Sequence, residues 1–230
     1  MLAPPPRQLA FLTIGQAPRH DLSDAIEQGL PAHIEVRHAG VLDGLDRIGV
    51  EANFAPTTGR AQLISRLADG SIVTLCADAI GRELQHCIDR LEDDGVDVVV
   101  LLCTGEFPGL RTRRAWLVEP DAVVCGTVAS LLRDVQAGVI VPMPGQEHEA
   151  RDKWRILDKQ PLFAAGSPYA STAQPLVDAA KTLQAQGAHA LVLDCMGYSP
   201  QHKQALRDAG CNLPVLVSGS VLGGALGAFL

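Results

Sequence analysis

The chain has 230 residues, 47% of them apolar and 20% charged, enough for one large or two smaller cores and too apolar for a disordered segment. Its formal charge of −7, with no run of Lys or Arg, argues against a partner held by its phosphates. Aromatic residues make up only 4%, which leaves little for stacking on bases.

The opening MLAPPPR lacks the apolar stretch of a signal peptide and reads as a proline-stiffened tail. Residues 9–14 form an apolar strand, and Gly15-Gln16-Ala17-Pro18-Arg19 turns into a helix carrying Leu22, Ile26 and Leu30. Residues 34–39 and 71–75 read as strands. The helical stripe Leu84, Ile88, Leu91 then precedes an apolar strand at 96–102. Residues 122–125 are strand-like, with Val128, Leu131 and Leu132 on a following helix. Further strands are expected at 138–142, 162–165 and 190–194, the last preceded by a helix bearing Leu176, Ala180 and Leu183. Gln146-Glu147-His148-Glu149 reads as a solvated helix start. Residues 215–230 are apolar throughout but fall short of the roughly 18–20 needed to span a bilayer. They divide at Ser218 and Gly219 into a strand and a small-residue helix. Strand–helix alternation of this kind predicts α/β architecture with parallel sheets.

Within this alternation the chain repeats itself. Residues 91–105 (LEDDGVDVVVLLCTG) and 183–197 (LQAQGAHALVLDCMG) align without a gap at a separation of 92. The pairs Leu91/Leu183, Gly95/Gly187, Val100/Val192, Leu101/Leu193, Cys103/Cys195 and Gly105/Gly197 are identical. Each copy reads as a buried strand that delivers a thiol to a turn at its C-terminal end. Gly15-Gln16 resembles Gly145-Gln146, and 124–128 (VCGTV) resembles 217–221 (VSGSV), so a three-element duplication is expected. Between its matched elements the first copy is longer, with an insertion near 34–75 where a specificity loop or lid is commonly carried.

All six cysteines are expected to be free thiols, since no export signal or metal-ligand spacing accompanies them. Of these, Cys103 and Cys195 alone stand at a strand end followed by any residue and then Gly. Two such thiols suit proton removal alpha to a carboxylate, one as thiolate base and the other as acid. A helix opening at Thr104-Gly105 or Met196-Gly197 would lower the thiol pKa from about 8.5 and present N–H donors to a carboxylate. The glycines would let substrate approach the backbone closely. Asp194, one residue before Cys195, should point to the opposite face of its strand.

The segments 13–19 (TIGQAPR), 101–107 (LLCTGEF), 167–169 (SPY) and 193–198 (LDCMGY) resemble the signatures of the AroM family, and Ser65-Arg66-Leu67 resembles its Thr-Arg-Leu element with Ser for Thr. The resemblance runs nearly the length of the chain. AroM proteins are similar in fold to the aspartate/glutamate/hydantoin racemase superfamily. That implies two doubly wound parallel-sheet subdomains related by a pseudo-two-fold axis, with the active site in the cleft between them. The expected subdomains are 1–118 plus 214–230, and 119–213. The expected activity is cofactor-independent racemisation or epimerisation of a small amino-acid-like or related acid, with no metal or pyridoxal group required. Catalysis is expected from Cys103 and Cys195, and substrate binding from Gly15, Gln16, Arg66, Thr104, Gly105, Tyr169, Met196 and Gly197. The alternatives are a one-cysteine isomerase or decarboxylase and a non-catalytic protein that binds a carboxylate metabolite. The expected setting is the cytoplasm, with a small carboxylate as partner, no nucleic acid and no membrane; a homodimer is compatible with a two-lobed fold.

Overall fold

The computed structural model describes residues 6–230; most of the proline-stiffened tail expected at 1–7 lies outside the described residues. The chain divides into two compact units, residues 1–120 with 226–230, and residues 121–225.

The first unit is built on a four-stranded parallel sheet in the order β2-β1-β5-β6. Its strands are β1 (Gln8–Thr13), β2 (Glu35–Gly40), β5 (Val98–Leu101) and β6 (Trp116–Val118). Helix α1 (His20–Glu27) follows β1, and the 17-residue helix α3 (Ala77–Asp93) precedes β5. The apolar face of α3, Ile80, Leu84, Ile88 and Leu91, packs with Leu12, Val99 and Leu101 of the sheet. The residue spacing of that face is the 3.6 period seen in the sequence. Between β2 and α3 lie α2 (Arg47–Phe54) and an antiparallel hairpin of β3 (Gln62–Arg66) and β4 (Ile72–Cys76).

The second unit carries a parallel sheet in the order β10-β9-β7-β8. Here β7 is Ala137–Val141, β8 Leu162–Ala165, β9 Ala190–Leu193 and β10 Val215–Val217. Its helices are α5 (Glu147–Lys153), α6 (Gln174–Ala185) and α7 (Pro200–Asp208), with a single 3-10 turn at Trp154–Ile156. Two further helices join the units' sequences, α4 (Pro120–Leu131) and α8 (Ser218–Phe229). Among the described residues no helix is long and apolar enough to cross a membrane.

The duplication holds at atomic detail around the cysteine strands. In β1–β5 pairing Leu12 stands opposite Leu101, and in β7–β9 pairing Ile140 stands opposite Leu193. Asp97 N–H donates to Gln8 O at 2.9 Å in one unit, and His189 N–H to Gln136 O at 2.8 Å in the other. Val96 N–H reaches Leu91 O, and Ala188 N–H reaches Leu183 O, both at 3.0 Å. Gly95 and Gly187, at φ +87° and +97°, make the left-handed turn from helix to strand that only glycine enters without strain.

Five expectations are corrected. Residues 122–125 lie within α4, because Pro120 and Asp121 open a helix there; the strand is β6, which ends one residue before α4 begins. The third repeated element is therefore β6 matched with β10, and the likeness of 124–128 to 217–221 is out of register. Gly15-Gln16 and Gly145-Gln146 are also out of register, by two residues, since Leu12 corresponds to Ile140. The inserted segment begins after β2, because β2 pairs with β1 as β8 pairs with β7. Finally, β10 pairs with β9, which places 214–225 in the second unit rather than the first.

Candidate active site at the two cysteine turns

In the first unit the ladder continues one residue past β5, with Leu102 N–H donating to Leu12 O at 2.8 Å. Cys103 follows, 9% exposed, and Gly105 N–H donates to its sulfur at 3.3 Å. In the second unit Asp194 N–H donates to Ile140 O at 3.0 Å, and Gly197 N–H donates to the Cys195 sulfur at 3.4 Å. The two turns thus hold their thiols in the same way. A hydrogen bond donated to sulfur favours thiolate over thiol. Neither turn opens a helix: the 102–115 segment is irregular, and α7 begins five residues after Cys195. The donor at each sulfur is a local amide, not the helix terminus expected from the sequence.

The surroundings of the two turns differ. At Gly105 a side chain would meet Leu63 of β3 at 3.2 Å and Phe107 at 3.4 Å, so the inserted hairpin covers this turn. At the other end of this segment, Glu92 at the end of α3 is buried and accepts from the N–H groups of Arg113, Arg114 and Ala115 at 2.6–2.9 Å. Burial works against its charge, but those backbone donors outweigh it and hold the carboxyl at about 2. Glu92 therefore fastens the far end of the irregular segment that carries Cys103.

At Gly197 a Cβ would come within 2.6 Å of the Tyr169 hydroxyl and 3.0 Å of Pro168. Glycine is required there because the Ser167-Pro168-Tyr169 segment lies directly on the turn. Tyr198, buried, donates its hydroxyl to Gly166 O, and burial pushes that phenol well above its ordinary range. His202 accepts from Ser199 N–H at Nδ1 (3.0 Å), which leaves Nε2–H to donate to Pro168 O at 3.1 Å. Burial lowers the pKa of His202, favouring this neutral form. Asp194 points away from Cys195, as its place on the strand requires. Its carboxylate takes Lys153 Nζ at 2.7 Å and Trp154 Nε1 at 2.8 Å.

The remaining sequence candidates are placed as follows. Thr104 and Met196 are buried within the two turns. Gly15, two residues past β1, lies against the hairpin, where a Cβ would collide with Ser65 Oγ and come within 2.7 Å of Arg66 O. The Gln16 amide donates to Leu42 O (3.1 Å) and Leu45 O (2.7 Å) and accepts from Ala68 N–H (2.6 Å). Gln16 thus ties the inserted segment to the β1 turn. Arg66 donates to Gly70 O and lies 3.9 Å from Asp21, which Arg19 grips through two 2.8 Å bonds. Burial opposes the charge of Asp21, but the hydrogen bond and charge of Arg19 more than offset it and lower the pKa. Sequence reasoning missed the structural parts of Glu92 and Lys153, since neither lies in a motif and both act through distant backbone or side-chain partners.

The AroM protein family model matches residues 9–228. The chain belongs to the AroM family. No curated protein sequence matches it. The fold of this AroM protein is similar to that of glutamate racemase RacE1 from Bacillus anthracis, at TM-score 0.64 and 13% identity over 96% of this chain and 80% of that one. It is similar also to glutamate racemase from Aquifex pyrophilus (0.62, 14%, 97% and 84%) and to allantoin racemase from Klebsiella pneumoniae (0.61, 13%, 96% and 86%). Arylmalonate decarboxylase shares the fold at 0.50 and 14% identity, over 97% and 91%. The AroM protein therefore has the α/β racemase fold, two parallel sheets flanked by helices.

Proposed function

We propose that this AroM protein is a cofactor-independent racemase or epimerase acting at the carbon alpha to the carboxylate of a small amino-acid-like or related acid. The observation that carries this reading is the matched pair of N–H···S contacts, 3.3 Å at Cys103 and 3.4 Å at Cys195, at corresponding ends of duplicated strands. One thiolate takes the alpha proton; the other thiol returns a proton to the opposite face of the carbanion, and the roles exchange for the other enantiomer. Binding of the substrate is assigned to Thr104 and Gly105 in one turn and to Met196, Gly197 and Tyr169 around the other, with Gly15, Gln16 and Arg66 from the first unit. Their job is to place donors around carboxylate oxygens as negative charge develops.

The test is incubation in deuterated water with a panel of amino and hydroxy acids, following the alpha proton by NMR. Solvent deuterium in both enantiomers supports the reading. Thermal stabilisation by a carboxylate without exchange of any substrate would overturn it in favour of a binding protein. The unequal surroundings of the two thiols favour one other reading, a one-cysteine isomerase or decarboxylase, supported by the fold likeness to arylmalonate decarboxylase. In that case Cys103→Ser would leave turnover intact while Cys195→Ser abolished it.

A further inference from the structure

Asp194 sets a problem for its neighbour. It is the residue immediately before Cys195, and a carboxylate so near a thiol opposes formation of the thiolate. The corresponding residue in the first unit is Leu102, which brings no charge to Cys103.

The cluster around Asp194 supplies the compensation. Lys153, from the end of α5, reaches one carboxylate oxygen at 2.7 Å, and both side chains are almost wholly buried, at 7% and 4% exposure. Trp154 Nε1–H takes the other oxygen at 2.8 Å, and the ammonium lies 5.5 Å from the Trp154 ring centre. Burial works against the Lys153 charge, yet Asp194 more than restores it, so the ammonium is held. Asp121 and Cys125 of α4 also feel that ammonium. Burial raises the Asp121 carboxyl in spite of Lys153, which makes it a weaker competitor for the cation. On the Cys195 side stand the phenols of Tyr169 and Tyr198 and, behind Tyr198, the neutral imidazole of His202. Burial holds the Tyr198 phenol and the His202 imidazole in their neutral forms.

We propose that Lys153 is a positioning residue for the second cysteine: by cancelling and orienting the Asp194 carboxylate, it lets Cys195 ionise as Cys103 does beside the uncharged Leu102. This inference rests on Cys195 being a reacting thiol. It assigns a role to a buried ion pair, and it explains why the pair stands at this strand end. A pair of this kind adds little net stability over well-packed apolar side chains, so stability alone does not account for it.

The test measures the rate of iodoacetamide alkylation of Cys195 against pH on the intact protein, read by peptide mass spectrometry, with Cys103 followed in the same digest. At the separation of neighbouring residues and an effective dielectric near that of protein sites, Lys153→Met raises the Cys195 midpoint by about one pH unit or more. Asp194→Asn, which leaves the ammonium without its carboxylate, moves it down. The double variant Lys153→Met/Asp194→Leu copies the first unit, removes both buried charges and returns the midpoint to that of the wild type. The double variant also keeps the test valid if Lys153→Met alone does not fold. Cys103 keeps its own profile in every variant. Midpoints that stay fixed in the single variants, or shift the same way in both, overturn the proposal. Because no substrate is present, the result is independent of whether the deuterium-exchange assay finds turnover.

Discussion

The two cysteine turns share a backbone and differ in nearly everything packed against it. Each thiol follows a parallel strand, continues its ladder for one residue and accepts an N–H from the glycine two positions on. The first turn is then covered by an inserted hairpin, and the far end of the segment that follows it is fastened by Glu92. The second is anchored by the Asp194–Lys153 pair and covered by the Tyr169 segment, itself fastened through Tyr198 and His202. Duplication fixed where the thiols stand; the later differences determine what surrounds each. The shared part is what a common chemical step needs, and the differing part is where discrimination between substrates would be built.

The comparison breaks most visibly at Glu92. Glu92→Ala leaves three backbone N–H groups of the 113–115 segment without their acceptor and costs about 3 kcal/mol, to be read by urea denaturation. The same substitution at the corresponding Gln184, exposed at the end of α6, stays within about 0.5 kcal/mol of wild type. Glu92 also sets an acid limit. Its folded pKa of about 2 lies below the ordinary 4.5, so its contribution is complete above 4.5 and is lost as pH falls from there toward 2. Glu92→Gln flattens the stability–pH curve in that window.

A smaller effect separates the two glycines. Gly197→Ala drives a methyl to 2.6 Å from the Tyr169 hydroxyl and 2.8 Å from its ring. The ring must move, at a cost of about 2 kcal/mol, and thermal unfolding should report it. Gly105→Ala meets nothing closer than 3.2 Å, the tip of Leu63, and should cost less than about 1 kcal/mol. Equal costs would mean that the two turns are covered alike.

The smallest effect is one of pH. His202 has a folded pKa below 6.5, so its contribution is complete above 6.5 and falls away as pH drops from 6.5 toward that lower value. Hydrogen exchange in the 195–202 segment should therefore quicken as pH is lowered below 6.5, after correction for the intrinsic rate, with no matching change in 103–115. His202→Gln removes the difference. Parallel changes in both segments would show that His202 does not fasten the second turn.

How far the sequence reached follows from the range of the interactions involved. The cysteine strands were readable because helix end, Gly, apolar run and thiol are consecutive, and each element is locally determined. The parallel sheets followed from the alternation of strands and helices. The errors came where two local signals competed. Val123, Val124 and Cys125 favour a strand by composition, but Pro120 and Asp121 favour a helix start, and the helix prevails. The hairpin strand β3, with Gln62, Ser65 and Arg66 among its five residues, carries too little apolar pattern to be seen. In the site, the ties of Gln16 could not be read because its partners Leu42, Leu45 and Ala68 are remote in sequence. Lys153 and Glu92 were invisible for the same reason: their meaning lies in partners about 20 to 40 positions away.

The central claim is that both thiols react, and paired serine substitutions test it most directly. With a substrate identified by deuterium exchange, the account predicts that Cys103→Ser and Cys195→Ser each abolish racemisation from both enantiomers. Each variant should retain exchange of the alpha proton for the one enantiomer whose proton the remaining thiolate still reaches. Undiminished racemisation by either variant would contradict it.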